Sequence, residues 1–148
     1  MGVYGSAAGM PQICGVGGLL YISYVHFFTF SAGLGLGTNN FAELMAIKLL
    51  ITLALKHEIH TLQIFGDSQL VIKWVSDKFR IKDVQLTQVL QEVIRISDLL
   101  EKLDYKHIYR ERNSKANALA KEGANVVEGH WIIHEFQAIE IYESFQVF

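Results

Sequence analysis

The chain has one cysteine, Cys14, and one proline, Pro11, in 148 residues. A lone cysteine excludes an internal disulfide framework and a thiolate zinc site, and fits a reducing compartment. A lone proline excludes a proline-rich linker. Charge is scarce at the start: residues 1–42 hold no Asp, Glu, Lys or Arg. Gly, Ser, Asn and Thr interrupt every apolar run there, so none reaches the roughly 18 residues of a membrane span. A basic start, apolar run and small-residue cleavage site of the secretory kind is also missing. The expectation is a cytoplasmic or nuclear chain that is not secreted, with no membrane partner and a monomeric state. The net charge of −2 gives no global pull toward nucleic acid, so any such affinity must come from a local patch.

Against these shortages stands an apolar fraction of 51% with 19% charged residues, a globular composition with material for one core. Residues 1–5 read as a short strand stub and Gly5 to Gly18 as a glycine- and alanine-rich loop. Val16–Val25 and Phe27–Leu34 are β-branched and aromatic runs that read as a hairpin. Thr38-Asn39-Asn40 is a helix start, and Phe41–Lys56 is full of helix formers. Thr61–Phe65 reads as a buried strand. Asp67-Ser68 opens a second helix that runs to about Asp77. Val84–Lys102 predicts a long amphipathic helix with Leu86, Val89, Leu90, Val93, Ile96 and Leu100 on one stripe. Leu103–Tyr109 alternates as a strand, and Asn113 to about Asn125 is an alanine-rich helix. This order, β-β-β-α-β-α-α-β-α, points to an α/β fold: a mixed sheet with helices on its faces. The domain is expected to span residues 1–125, with 126–148 a C-terminal extension that fits neither period.

Two acidic residues stand out. Glu43 falls in line with Ile47, Leu50 and Ala54, on the buried stripe of its helix. A buried carboxylate is costly unless paired, hydrogen-bonded or metal-bound. With Asn40 as N-cap, Glu43 would equally close a capping box. Asp67 ends an apolar strand, where ligands gather in open α/β sheets, but it also suits a helix N-cap. Both roles can coexist, because a capping Asp has a second oxygen. The stretches Gly15-Val-Gly-Gly18 and Gly33-Leu-Gly-Leu-Gly37 match neither the dinucleotide nor the Gly-Lys-Ser/Thr phosphate loop, and suit tight turns and close strand packing.

Basic residues gather in two places. Lys73, Lys78, Arg80 and Lys82 surround the break after the second helix, with Trp74 and Phe79 interleaved. Arg110, Arg112 and Lys115 straddle the last strand and last helix. Cations beside aromatics suit phosphate and base contacts, while a solvated helix face would explain them equally. The six histidines show no paired metal-ligand spacing, and His107 on a strand reads as structural.

In combination, Gly15-Val-Gly-Gly-Leu-Leu, Thr38-Asn-Asn-Phe-Ala-Glu-Leu-Met-Ala-Ile, Phe65-Gly-Asp-Ser-Gln-Leu-Val and Arg112-Asn-Ser-Lys-Ala-Asn-Ala-Leu-Ala resemble the type 1 ribonuclease H family. The likeness is strongest to the reverse-transcriptase-like domains common in plants, and it covers roughly residues 3–125. It implies a five-stranded mixed sheet in the order 3-2-1-4-5, with the second strand antiparallel to the rest. It also implies an Asp-Glu-Asp-Asp set that holds two Mg²⁺ (or Mn²⁺) ions and cuts the RNA strand of an RNA–DNA hybrid. Two ions about 3.5–4 Å apart would clamp the attacking water and the leaving oxygen.

Carried over by position, Glu43 and Asp67 match the second and third carboxylates, as catalytic and metal-binding residues. Tyr4 falls where the first Asp is expected and Asn117 where the fourth is. An Asn offers a metal a neutral oxygen without charge, and Tyr is essentially un-ionised near pH 7. The first strand begins only three residues before Tyr4, shorter than the resemblance implies. The resemblance thus implies an impaired hybrid ribonuclease, with Asn39, Asn40, Lys73, Trp74, Lys78, Arg80, Lys82, Arg110, Arg112 and Lys115 as nucleic-acid contacts. The alternatives are a non-catalytic module that grips hybrid or structured RNA, and a degenerate retroelement remnant.

Overall fold

The computed structural model describes residues 2–10, 13–23, 25–77 and 83–137; of residues 2–10, 13 and 77 it describes the backbone alone. Three strands open the chain, β1 (Gly2–Met10), β2 (Ile13–Ser23) and β3 (His26–Gly35). Helix α1 (Asn39–Lys56) leads to β4 (Thr61–Gly66), followed by α2 (Gln69–Asp77) and α3 (Val84–Ser97). Then come β5 (Lys102–His107), a 3₁₀ turn (Arg110–Asn113), α4 (Ser114–Gly123) and β6 (Trp131–Gln137).

The strands form one sheet in the order β5-β4-β1-β2-β3-β6. β1 pairs parallel to β4, and β4 parallel to β5. β2 runs antiparallel to both β1 and β3, and β6 antiparallel to β3. The sheet therefore has six strands rather than five. The sixth comes from the C-terminal extension whose sequence fits neither period, while residues 138–148 lie outside the described residues.

Alternation along β3 separates the two faces. Phe28, Phe30 and Ala32 are buried in the same core as Leu44, Leu50 and Ile51 of α1. Ser31, of opposite parity, donates from Oγ to the Leu119 carbonyl of α4 at 2.7 Å. Helices α1 and α4 thus cover opposite faces. On the α1 side α3 adds a further layer, with its expected stripe of Leu86, Val89, Leu90 and Val93 buried. That layering explains why α1 is apolar nearly all round. Lys48 and Glu92 join the two helices by an ion pair at the surface.

The first hairpin corrects the expected stub and loop. β1 continues to Met10, and Val3–Met10 pair residue by residue with Leu20–Ile13. Glycine and alanine have little strand propensity of their own, but here a helix requires them. A β-carbon added to Gly15 would stand 2.1 Å from the Ala124 amide nitrogen. The glycine-rich motif therefore serves close helix–sheet packing. α3 ends at Ser97 rather than Lys102, because Leu99 and Leu100 turn back and Lys102 already pairs with Thr61 in the sheet.

Candidate functional site

Two capping readings fail on local geometry. The N-cap of α1 is Thr38, whose side chain accepts from the Phe41 amide at 3.2 Å. Asn39 and Asn40 are therefore already helical, and Glu43 lies beyond the position that a capping box needs. The cap of α2 is Ser68, whose Oγ accepts from the Val71 amide at 3.3 Å. The Asp67 carboxylate is thereby left for other partners.

Glu43 is 9% exposed, on the stripe it shares with Ile47, Leu50 and Ala54. It lines a narrow cleft with Ala46, Ile47, Phe65, Gly66 and Ser68, the last three of which flank Asp67 in the sequence. Asp67 is half-buried. Its Oδ2 accepts from Asn113 Nδ2 at 3.2 Å, and its carbonyl oxygen lies 3.3 Å from His107 Nε2. Tyr4 enters through the backbone register, paired with Phe65, two residues before Asp67. Asn117 lies on the first turn of α4, four residues after Asn113 and so on the same helix face. The carboxyl end of β4 thus leads into Asp67 and borders the cleft that Glu43 lines, with Tyr4 in register on the neighbouring strand and Asn117 one turn beyond the Asn113 that reaches Asp67.

The basic residues divide. Arg110 and Arg112 are exposed on the 3₁₀ turn and Lys115 on the first turn of α4, flanking the Asn113 that reaches Asp67. Lys73 is exposed on α2, whereas Trp74 packs against the core and offers only part of its ring. Asn39 is exposed and Asn40 half-buried at the start of α1. Lys78, Phe79, Arg80 and Lys82 lie outside the described residues. His107, read from the sequence as structural, lies on β5 with its ring nitrogen near the Asp67 carbonyl oxygen. Asn113 was not singled out from the sequence as a site residue, although it stands within the quoted Arg112-Asn-Ser-Lys segment.

The two-ion site that the resemblance implies needs four converging carboxylates. Among the described residues, no three His, Cys, Asp or Glu side chains converge to hold a metal ion. Two carboxylates, one of them already accepting from an amide, bring half the negative charge of a four-carboxylate set. An amide and a phenol at the matched positions add none. This donor set does not fit two divalent ions.

The family model for reverse transcriptase-like proteins matches residues 10–123. The chain belongs to that family. This reverse transcriptase-like domain also shares its fold with solved ribonucleases H. RNase H1 from Halobacterium salinarum aligns with a TM-score of 0.75 at 22% identity, over 84% of this chain and 96% of that one. LC11-RNase H1 in complex with an RNA/DNA hybrid gives 0.75 at 20% identity, over 84% and 96%. The N-terminal RNase H domain of a Mycobacterium tuberculosis protein gives 0.72 at 21% identity, over 84% and 94%. At such identities the likeness shows the fold, which is that of ribonuclease H. No curated protein matches the domain. Among its described residues, no helix is long and apolar enough to cross a membrane.

Proposed function

We propose that this domain binds RNA–DNA hybrid or structured RNA at the carboxyl end of β4, with weak or absent hydrolysis. The observation that supports the reading is Asp67 at that strand end, next to the cleft that Glu43 lines and tied through Asn113 to a segment with exposed Arg110, Arg112 and Lys115. Clustered cations meet phosphates, and A-form duplexes are recognised largely by shape, phosphates and 2′-hydroxyls, which needs no intact metal set. A solved neighbour of the same fold that holds an RNA/DNA hybrid supports the ligand class. Impairment follows from the donor set: Tyr4 and Asn117 stand where carboxylates are expected. Any residual cleavage is assigned to Glu43 and Asp67.

A labelled RNA–DNA hybrid tests both halves. Anisotropy at low salt should report binding, and incubation with Mg²⁺ or Mn²⁺ should give cleavage far below that of an intact ribonuclease H. Comparable turnover would refute impairment, and no binding at low salt would refute the ligand.

A further inference from the structure

Three contacts fasten the last residue of β5 and the segment after it to the end of β4 and the residue that follows it. The Ile108 amide donates to the Gly66 carbonyl at 2.9 Å. His107 Nε2 lies 3.3 Å from the Asp67 carbonyl oxygen, and Asn113 Nδ2 donates to Asp67 Oδ2 at 3.2 Å. Of these, only the last reaches the carboxylate. Asn113 is 1% exposed and stands where the 3₁₀ turn passes into α4, directly after Arg112 and two residues before Lys115. The turn is closed on itself by the Arg112 amide, which donates to the Tyr109 carbonyl at 2.9 Å. The basic turn and the acidic strand end are therefore joined through one buried side chain.

We infer that Asn113 is a positioning residue: its amide holds the Asp67 carboxylate in place of a cation and fixes the basic turn beside it. A hydrogen bond to an ionised acceptor is stronger than a neutral one, and leaving its buried donor unsatisfied carries the full desolvation cost. A divalent ion at Asp67 must compete with this bond, so the folded domain responds little to added metal. The nucleic-acid arm of this inference rests on the function proposed above. Its metal arm does not.

The test uses thermal melts in EDTA and in Mn²⁺, together with hybrid affinity. The unaltered domain should melt at nearly the same temperature in both buffers. Asn113→Asp, which sets a second carboxylate against Asp67, should melt lower in EDTA and recover in Mn²⁺. Asn113→Ala should weaken hybrid binding about tenfold. In an Asp67→Ala background that loss should shrink below about twofold, because the partner is gone. A merely structural role would give the same loss in both backgrounds, and that result would overturn the inference. So would Mn²⁺ raising the melting temperature of the unaltered domain as much as that of Asn113→Asp. Should the unaltered domain bind no hybrid, the proposed function fails and the melts alone decide. If Asn113→Ala does not fold, Asn113→Asp in Mn²⁺ carries the decision.

Discussion

Gly17 of β2 and Ala120 of α4 meet backbone to backbone: a β-carbon added to Gly17 would stand 2.3 Å from the Ala120 amide nitrogen and 2.4 Å from the Leu119 carbonyl carbon. Neither neighbour is a flexible side-chain end that can swing away, so Gly17→Ala must lift α4 from the sheet. Overpacking of this kind costs about 1–3 kcal/mol, and backbone obstruction places this site at the upper end. The lifted helix carries Lys115 and continues the arginine-bearing turn, so hybrid affinity should fall together with stability. Gly129 serves for comparison. It has φ +82° but nothing within 4 Å of an added β-carbon, so Gly129→Ala should cost only the left-handed penalty of about 1–2 kcal/mol. Urea denaturation of both variants checks the order, and a Gly17→Ala variant as stable as the parent would remove the close contact.

Restoring charge should restore metal binding. Tyr4 pairs with Phe65 beside the strand end, and Asn117 lies one turn along α4 from Asn113. Tyr4→Asp together with Asn117→Asp would place four carboxylates around this end of the sheet, where they repel until a cation binds. A ligand that binds only the folded state stabilises it by about 2.7 kcal/mol at a hundred times its dissociation constant. Mg²⁺ or Mn²⁺ should therefore raise the melting temperature of the double variant by several degrees more than that of the parent. Equal shifts would count against the positions assigned. If the double variant cleaves hybrid, adding Glu43→Gln or Asp67→Asn should abolish the cleavage.

What sequence reading found and what it missed have distinct physical causes. α1 was legible from its helix start and its unbroken run of helix formers, and the α3 stripe because burial on one face leaves a helical period. Glu43 and Asp67 were legible as unusual residues, and only the family resemblance paired them, because taken singly capping explained each of them as well. Only the placement of Thr38 and Ser68 at the caps separates those readings. The β1–β2 hairpin was illegible because residues 5–18 are chosen for the helix that lies on them, so their local preference contradicts their structure. β6 was illegible for another reason. Trp131–Gln137 sits at the sheet edge with Ile132 and Phe136 exposed, so no clean alternation of buried and solvated positions is imposed on it. Asn113 gave no signal beyond its place at a helix start, which a polar cap would explain as well.

Salt should govern hybrid binding. If phosphates meet Arg110, Arg112 and Lys115, the logarithm of affinity falls linearly with the logarithm of salt concentration. Each cation removed should then lower the slope by about one unit. Single Arg110→Ala, Arg112→Ala and Lys115→Ala variants, titrated at several salt concentrations, provide the measurement. Charge reversal at Lys78, Arg80 and Lys82 should weaken binding further if both basic clusters contribute. Slopes unchanged in all the variants would move the interface elsewhere on the domain.

The attachment of β6 should depend on pH through Glu135. Its Oε2 accepts from His26 Nε2 at 2.7 Å and from Gln137 Nε2 at 3.1 Å, and the first contact ties β6 to the start of β3. The His26 hydrogen bond, more than that from Gln137 or the charges of His26 and His57, holds the Glu135 carboxyl below the ordinary carboxylate range. A group whose folded pKa is depressed contributes stability above its unfolded pKa and loses it as pH falls through the folded value. The β6 contact should therefore be complete at neutral pH and weaken only in the acid range, from about pH 4 downward. Amide exchange of residues 131–137, compared with that of β1, gives the local reading that a global melt would miss. Protection of β6 should fall with acid in the unaltered domain. In Glu135→Gln it should start lower and stay flat over the same interval, because the glutamine does not titrate. His26→Ala should likewise lower protection at neutral pH while leaving the Phe27–Phe136 stack, whose ring centroids are 5.0 Å apart, to hold the strand. Acid sensitivity that persists unchanged in Glu135→Gln would assign it to another group and leave the His26–Glu135 pair without a part in holding the sixth strand.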